Sequence, residues 1–589
     1  MRIEPLTSAT PTDCVGQSQC LATADGWVRL GLGMIVTALM IWSQWLHSPT
    51  HNEPAHLATG LWDWHNGEFD VYVVNTPLVR MTAALPLLLT GVEETAPLRH
   101  QSNSNPRPEF MLGHDFAAAS GRMIQNRLFH ARLMCLPFFW LGAVVAHRFA
   151  TEFWQSRLSG FVAFVLWCVE PTLMAHGELI TSDCAAASFG LCNAFAFWCW
   201  YREVNLRTTL ILGLCTGLAM SVRLGWVISP LLYALVAIAL MLGDWAQGQL
   251  VPVRRRISSF LGAMLMALLV LNGTYGFAGT FRSLDSFEFA SASLSAGSGN
   301  RFRDTWIGAV PLPVPAPYVT GLDLQRKDFE TPHQETFAAG EWYDRGQWWY
   351  YMYGLCVKTT HAHQFLIALA LLLAVLGVTC RPRLEWLILI GPAACVIGMA
   401  SVMDEFTSHF RYIIPAYGFL IVLASAAGAT WSGSRQAVVV TGQKYVCVFA
   451  LVAAGLSAGC AFPHHLAYFN EWSGGVSGQF RCLLHSSLDW GQDLWILESQ
   501  VRQLPQHEPV TFVGAYSLAP EMMQIPLTTL HSASSHPDSL KKLTGIVAFE
   551  ATVYRRLMRD NALTELQSNG RVAVVLRHVG GSIVLVKFE

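Results

Sequence analysis

The chain has 589 residues, of which 52% are hydrophobic and 13% charged, and its formal net charge is -2. That balance lies outside the range of ordinary soluble domains and makes this an integral membrane protein. A near-neutral charge excludes a basic chain built to coat nucleic acid, and no nucleic-acid partner is expected.

Apolar windows of roughly 17 to 22 residues, enough to cross about 30 Å of hydrocarbon, recur along the chain as far as residue 461. About eleven transmembrane helices are predicted, near 26–46, 128–146, 158–175, 183–201, 208–222, 224–243, 258–277, 362–380, 384–402, 412–431 and 445–461. The first window is too long, and lacks the small-residue cleavage site, to be a cleaved signal peptide. The segment "NTPLVRMTAALPLLLTGV", residues 75–92, is short and carries Pro77 and Pro86. It reads as a helix lying along the interface, with a twelfth span as the alternative.

Short loops such as "HRFATEFWQSR", "YREVNLR", "VPVRRRIS" and "CRPRLEW" carry two or more arginines and alternate with arginine-poorer turns. The arginine-rich loops are assigned to the cytoplasm, together with the N-terminus. The opening loop after residue 46, the turn "HGELITSD", the long loop from about 278 to 360, the turn "DEFTSHFR" and everything after 461 then lie outside. Residues 1–461 form a transmembrane domain in a multi-pass protein of the cytoplasmic membrane, and residues 462–589 a small extracytoplasmic α/β domain. In that domain "SLDWGQDLWILESQVRQLP" predicts a helix ending at Pro505, "VTFVGAY", "TGIVAFEA" and "GRVAVVLRHVGGSIVLVKFE" predict strands, and "VGGS" a hairpin turn. Asp489 and Asp493 fall one turn apart on the predicted helix and read as its solvated side.

The 14 cysteines lie mostly in apolar runs without CxxC pairing and read as small core residues. Cys460 and Cys482 sit near the outer face, where a disulfide between them is an option.

The predicted outer side gathers Glu53, His56, Glu178, Asp183, Arg223, Lys358, His409 and Arg411, with Arg80 at the start of the interfacial helix. Ionisable groups near membrane depth are costly unless they pair or line a wet cavity, so a one-sided cluster points to a site there. Taken singly, each reads as a cap or a snorkelling anchor. His51, His56 and His65 with Glu53 offer imidazole and carboxylate on one loop, but the spacing matches no zinc pattern. No metal and no other cofactor is assigned. Trp62, Trp64 and Tyr72 read as an interfacial belt or as platforms for a sugar or lipid.

Several stretches, in order along most of the chain, carry a resemblance. "NEPAHLATGLWDWHNGEFDVYVVNTPLVR" looks like the first extracytoplasmic loop of the C-type glycosyltransferase superfamily, especially bacterial relatives of protein O-mannosyltransferases and of the aminoarabinose transferase that modifies lipid A. "AHGELITSDCAAASFGLCNAFAFW", "WWYYMYGLCVKTT" and "RYIIPAY" are similar to later family segments, and "HHLAYFNEWSGGVSGQFRCLLHSSLDWGQDLWIL" resembles a segment after the last span. The resemblance implies transfer of a hexosyl or pentosyl unit from a polyprenyl-phosphate carrier to a protein, lipid or glycan acceptor outside the membrane, by inverting displacement. It makes Glu53 the catalytic base, because the family keeps acid on this loop, although its usual Asp-Glu is here Asn52-Glu53. Asp183 becomes a second catalytic carboxylate with Glu178 nearby, His56 a contact to base or sugar, and Arg223, Lys358 and Arg411 the holders of lipid phosphate. A polyprenyl-lipid transporter and a catalytically silent scaffold are the rival readings, the first disfavoured because no repeated halves with broken helices are evident.

Overall fold

The computed structural model describes residues 11–92, 107–248, 252–297, 299–330, 335–376, 383–402, 409–429, 437–504, 510–514, 516, 518–531, 543–560 and 573–588. Every predicted apolar window is centred on helix. Among the described residues, seven helical stretches are each long and apolar enough to cross a membrane: Asp25–Leu46, Pro108–Trp154, Leu224–Ala246, Val253–Thr274, Leu384–Val402, Phe410–Gly428 and Gly442–Ala461. Two bent pairs bring the total to nine, Arg157–Val169 with Pro171–Gly177 and Tyr350–Lys358 with His361–Val375. The two remaining windows are the helices Ser182–Arg202 and Leu206–Val222. The protein is therefore a multi-pass helical membrane protein.

The bends have local causes. Pro171 disfavours helical backbone at the residue before it, and Glu170 is extended at φ -79° and ψ 111°, turning the chain by 61°. At the other bend Thr359 and Thr360 are extended, and Thr360 restarts the helix by accepting a hydrogen bond from the His363 N–H.

At one end of the bundle three short helices stack closely. Glu53–Asn66 has Pro54 in its first turn and stops at Gly67, whose left-handed backbone (φ 65°) lets its N–H reach Asp63 O. A Cβ on Gly60 would lie 2.3 Å from the Arg80 carbonyl oxygen, and one on Gly113 would lie 2.5 Å from the Ala55 nitrogen. Glycine at both positions lets Pro77–Leu89 and Pro108–Ser120 meet Glu53–Asn66 backbone to backbone. The 13 residues of Pro77–Leu89 span about 20 Å, too short to cross the hydrocarbon and in keeping with the interfacial reading.

The C-terminal region builds a five-stranded sheet. A small hairpin of β1 (Thr336–Ala338) and β2 (Glu341–Tyr343) precedes it in the chain. The sheet comprises β3 (Val510–Gly514), β4 (Thr528–His531), β5 (Gly545–Glu550), β6 (Ala573–Val579) and β7 (Ile583–Phe588), in the spatial order β4-β3-β5-β7-β6. The β3 pairings are parallel and the β5–β7 and β6–β7 pairings antiparallel. The three predicted strand segments and the turn at Gly580 are all present. β4, with its threonine pair and little apolar content, was not foreseen.

Two expectations are corrected. Helix begins only at Leu494 and runs to Val501, while residues 488–493 form a tight irregular turn. Side chains there take up backbone donors, Asp489 from Gly491 and Gln492 from Trp490, and Gly491 adopts φ 93°, so the local hydrogen bonds compete with helix. Pro505 and most of the turn "DEFTSHFR" lie outside the described residues. Cys460 and Cys482 are both free, and the buried Cys482 thiol instead faces the Ser473 and Gly478 carbonyls.

Candidate active site

A cavity of about 430 Å³ opens where the C-terminal region meets the end of the helices. Its walls come from several parts of the chain. The turn after the first span brings His51 and Asn52, the span ends bring Ser182, Arg223 and Arg411, and the C-terminal region brings Asp489, Trp490 and Glu550.

Behind one wall lies Asp183, fully buried at the start of its helix. Arg223 donates to its Oδ1 at 2.5 Å, and the Arg411 guanidinium lies 3.5 Å from Oδ2, as does His176 Nδ1. Two guanidiniums on one carboxylate leave a net positive charge facing the cavity. Arg411 is further fixed by the faces of Trp490 and Tyr412, 4.7 and 5.1 Å away, and its buried Nε has no hydrogen-bond partner among the described residues. His409 also lines the cavity, its Nδ1 2.8 Å from Ser486 Oγ.

An apolar groove of about 270 Å³ adjoins the cavity and shares Arg223, Leu224, Gln325, Phe329 and Tyr412 with it. Its remaining walls include Trp226, Val227, Val396 and Met399, from helices assigned to the membrane. Arg223 thus stands between a polar chamber and an apolar slot, with Arg411 beside it on the chamber side.

Glu53 does not line this cavity. Its oxygens accept from Arg132 Nε at 2.8 Å and a second guanidinium nitrogen at 2.5 Å, from the Thr50 N–H and hydroxyl, and from the Ile180 N–H. Burial raises its pKa, but Arg132 and the backbone donors more than offset that and hold it below the usual carboxylate range. Arg132 also donates to the carbonyls of Gln44, His47 and Ser48. The pair therefore pins the chain leaving the first span to the Ile124–Leu133 helix. Asn52, its neighbour, is the residue that reaches the cavity wall, where its amide donates to the Tyr72 hydroxyl.

The carboxylates that do face the cavity are Asp328, Asp489 and Glu550. Asp489 accepts from the Tyr516 hydroxyl at 2.7 Å on both oxygens, from the Gly491 N–H and from the Ala551 N–H. Burial and the nearby Glu550 push its carboxyl well above the usual range, despite those donors.

The other expected residues have separate places. Lys358 donates to the Leu466 and Ser487 carbonyls and sits 4.6 Å from the Phe469 ring, so it fastens the segment after the last span and does not reach the main cavity. Arg80 is buried on Asp63 at 2.6 Å and on the Tyr72 and Asn75 carbonyls. His56 stacks near Tyr72, and burial drops its pKa to about 3, so it is neutral. Glu178 lies in a separate small void beside Gln44 and Arg132, its carboxyl pushed well up by burial. Of the nine expected residues, Arg223, His409 and Arg411 line the cavity and Asp183 positions the two arginines.

Arg107, Asp328, Glu550 and Arg556 were missed as cavity residues. Arg107 precedes the Pro108–Ser120 helix, Asp328 lies near the end of the polar helix Ala316–Glu330, and Glu550 and Arg556 belong to the C-terminal region, so no apolar periodicity marks them as facing inward. Asp489 carried a signal, an acid in a Gly-containing stretch among aromatic residues, but the helix assigned there hid its direction.

No protein-family model and no curated protein matches the sequence. Among solved structures the chain is similar to two of ArnT from Cupriavidus metallidurans, one described as bound to undecaprenyl phosphate and one as the apo state. They are 12% and 14% identical to this chain, each with a TM-score of 0.46, and each comparison covers 96% of this chain and 98% of the other.

Proposed function

We propose that this protein is a membrane glycosyltransferase that moves a sugar from a polyprenyl-phosphate carrier to an acceptor on the extracytoplasmic side. The observation that carries this reading is the pair of arginines on one buried carboxylate, placed where a polar cavity meets an apolar groove among the membrane helices. A ligand with a phosphate head and a prenyl tail matches both halves of that arrangement, and the resemblance of the outer loops to C-type glycosyltransferases points the same way. The outward orientation rests on the arginine-rich loops.

In this reading Arg223 and Arg411 hold the carrier phosphate and stabilise the charge that builds on it as the glycosidic bond breaks. The acceptor hydroxyl attacks the anomeric carbon from the opposite face, and a carboxylate takes its proton. The base role expected of Glu53 passes to Asp489, which faces the cavity as does Glu550; burial and the Glu550 charge raise the Asp489 pKa, so its ionised form is a stronger proton acceptor. Glu53 becomes a positioning residue through Arg132, and Asp183 one through the two arginines.

The test uses membranes containing the full chain, incubated with radiolabelled polyprenyl-phosphate sugars and separated into lipid, protein and glycan fractions. Label should leave the carrier in wild-type membranes and stay on it with Arg223→Gln/Arg411→Gln. Movement of intact labelled carrier across the bilayer without release of sugar would favour the transporter reading and overturn this one.

A further inference from the structure

A second cluster lies on the other side of the 488–494 turn, apart from the cavity. His47 follows the first span, His464 follows the last, and Asp493 ends the turn that carries Asp489. Their nearest ligand atoms all fall within 4.8 Å of one another. We propose that His47 Nε2, His464 Nδ1 and Asp493 Oδ1 bind one divalent transition-metal ion of the zinc class.

Each of the three atoms is buried and has no hydrogen-bond partner among the described residues. In His47 and Asp493 the other side-chain atom is already committed. His47 Nδ1 lies 3.1 Å from Ser43 Oγ, which fixes the ring and leaves Nε2 free to point inward. Asp493 Oδ2 accepts from the Gly581 N–H and the Ser582 hydroxyl, both at 2.8 Å, which leaves Oδ1 without a donor. Gly580 closes over the carboxylate at φ 57°, and a Cβ there would lie 2.2 Å from the Asp493 carboxyl carbon, so the hairpin is shaped around this side chain.

The separations favour a shared ion over direct hydrogen bonds. His464 Nδ1 and His47 Nε2 lie 3.6 and 3.9 Å from Asp493 Oδ1, too long for a hydrogen bond. Ligands of a tetrahedral zinc with bonds near 2.0–2.1 Å stand about 3.3 Å apart, so each histidine nitrogen closes on Asp493 Oδ1 by a few tenths of an ångström, and the two histidine nitrogens, within 4.8 Å of each other, draw together around the ion. Two imidazoles and one carboxylate suit zinc, cobalt or nickel and are poor for magnesium or calcium, which take oxygen. The His464 side chain is 31% exposed, which gives the ion a way in and leaves a fourth position for water.

The ion would join three separate parts of the chain at one point. The same turn is already tied to the end of the first span, since the Ser48 hydroxyl donates to Gly491 O and accepts from the Leu494 N–H. Metal at Asp493 would therefore hold the turn that presents Asp489, as a structural ion and not as a reactant.

The test uses the full chain in detergent micelles, purified without a histidine tag or chelator, then stripped and titrated with Zn²⁺ or Co²⁺. Wild type should take up about one ion per chain, show visible ligand-field bands with Co²⁺ and melt higher when loaded. His464→Gln should lose the bands and the shift in melting while its metal-free melting stays that of stripped wild type. Asp493→Asn is the second variant, and it also loses ordinary contacts to the 580–582 turn. Stripped wild type that gains neither bands nor stability, or uptake that His464→Gln leaves unchanged, would overturn the proposal.

Discussion

The sharpest test of the site separates a buried structural pair from a catalytic base at Glu53. Its two oxygens receive five hydrogen bonds, two of them from Arg132. Glu53→Gln keeps the shape but offers one acceptor oxygen and turns an NH₂ toward donors, leaving the Arg132 charge buried without its counterion. Removing one partner of such a pair costs about 3–5 kcal/mol, a large share of what holds most folds together. The expected outcome is a variant that accumulates poorly and melts well below wild type in detergent. Glu53→Met/Arg132→Met should recover only part of the loss, because Arg132 also satisfies the carbonyls of Gln44, His47 and Ser48. Acid should act in the same direction: the Glu53 pKa is lowered in the fold, so its stabilisation is present above the unfolded value of about 4.3 and disappears as pH falls through the lower folded value. A Glu53→Gln protein with wild-type melting and transfer reduced roughly a hundredfold, the range for losing a general base, would refute the reasoning and return the base to Glu53.

Asp489→Asn should keep the fold, since an amide oxygen can still accept from Gly491, while transfer falls by roughly a hundredfold; near-normal turnover would remove Asp489 from the mechanism. Because the Asp489 pKa is raised and the base must be ionised, wild-type transfer should climb with pH through that raised value, and Glu550→Gln should move the limb to lower pH by removing the neighbouring charge, as read from a pH–rate profile. Arg223→Gln and Arg411→Gln should each weaken binding of a polyprenyl phosphate by about tenfold or more, the scale of a charge-assisted hydrogen bond, and equal loss in an uncharged polyprenol control would show that the arginines act on packing alone.

The membrane architecture was legible because a helix in hydrocarbon must be both long and apolar, and those two properties are written in contiguous residues. The central strands β5 and β7 were legible for a similar reason, as each is a short, largely apolar contiguous run at or just after a glycine. Arg223, His409 and Arg411 emerged from sequence because polar groups at span ends stand out against an apolar background. Glu53 and Lys358 stood out equally, and the sequence does not record that Arg132 and the Leu466 and Ser487 carbonyls were waiting for them. Which ionisable group is spent on structure is decided by partners far away in the chain, and no local pattern reports it.

Asn52 connects these findings. It stands at the cavity wall beside the arginines, where the resembled family keeps an acid, and it brings no charge there. Among the described residues the two arginines share only Asp183 as a close counterion, which leaves more positive charge for a bound anion than a second carboxylate would allow. The proposed mechanism still requires a proton acceptor, and the C-terminal region supplies two cavity-facing carboxylates, Asp489 and Glu550. Moving the base from the membrane loop onto that region makes its placement depend on how the 488–494 turn is held. That turn is gripped on one side by Ser48 at the end of the first span and carries Asp493 among two histidines on the other. In the proposed mechanism the acid fixed by the membrane loop is thus replaced by one fixed by the docking of a separate segment, and activity should be sensitive to anything that loosens that docking.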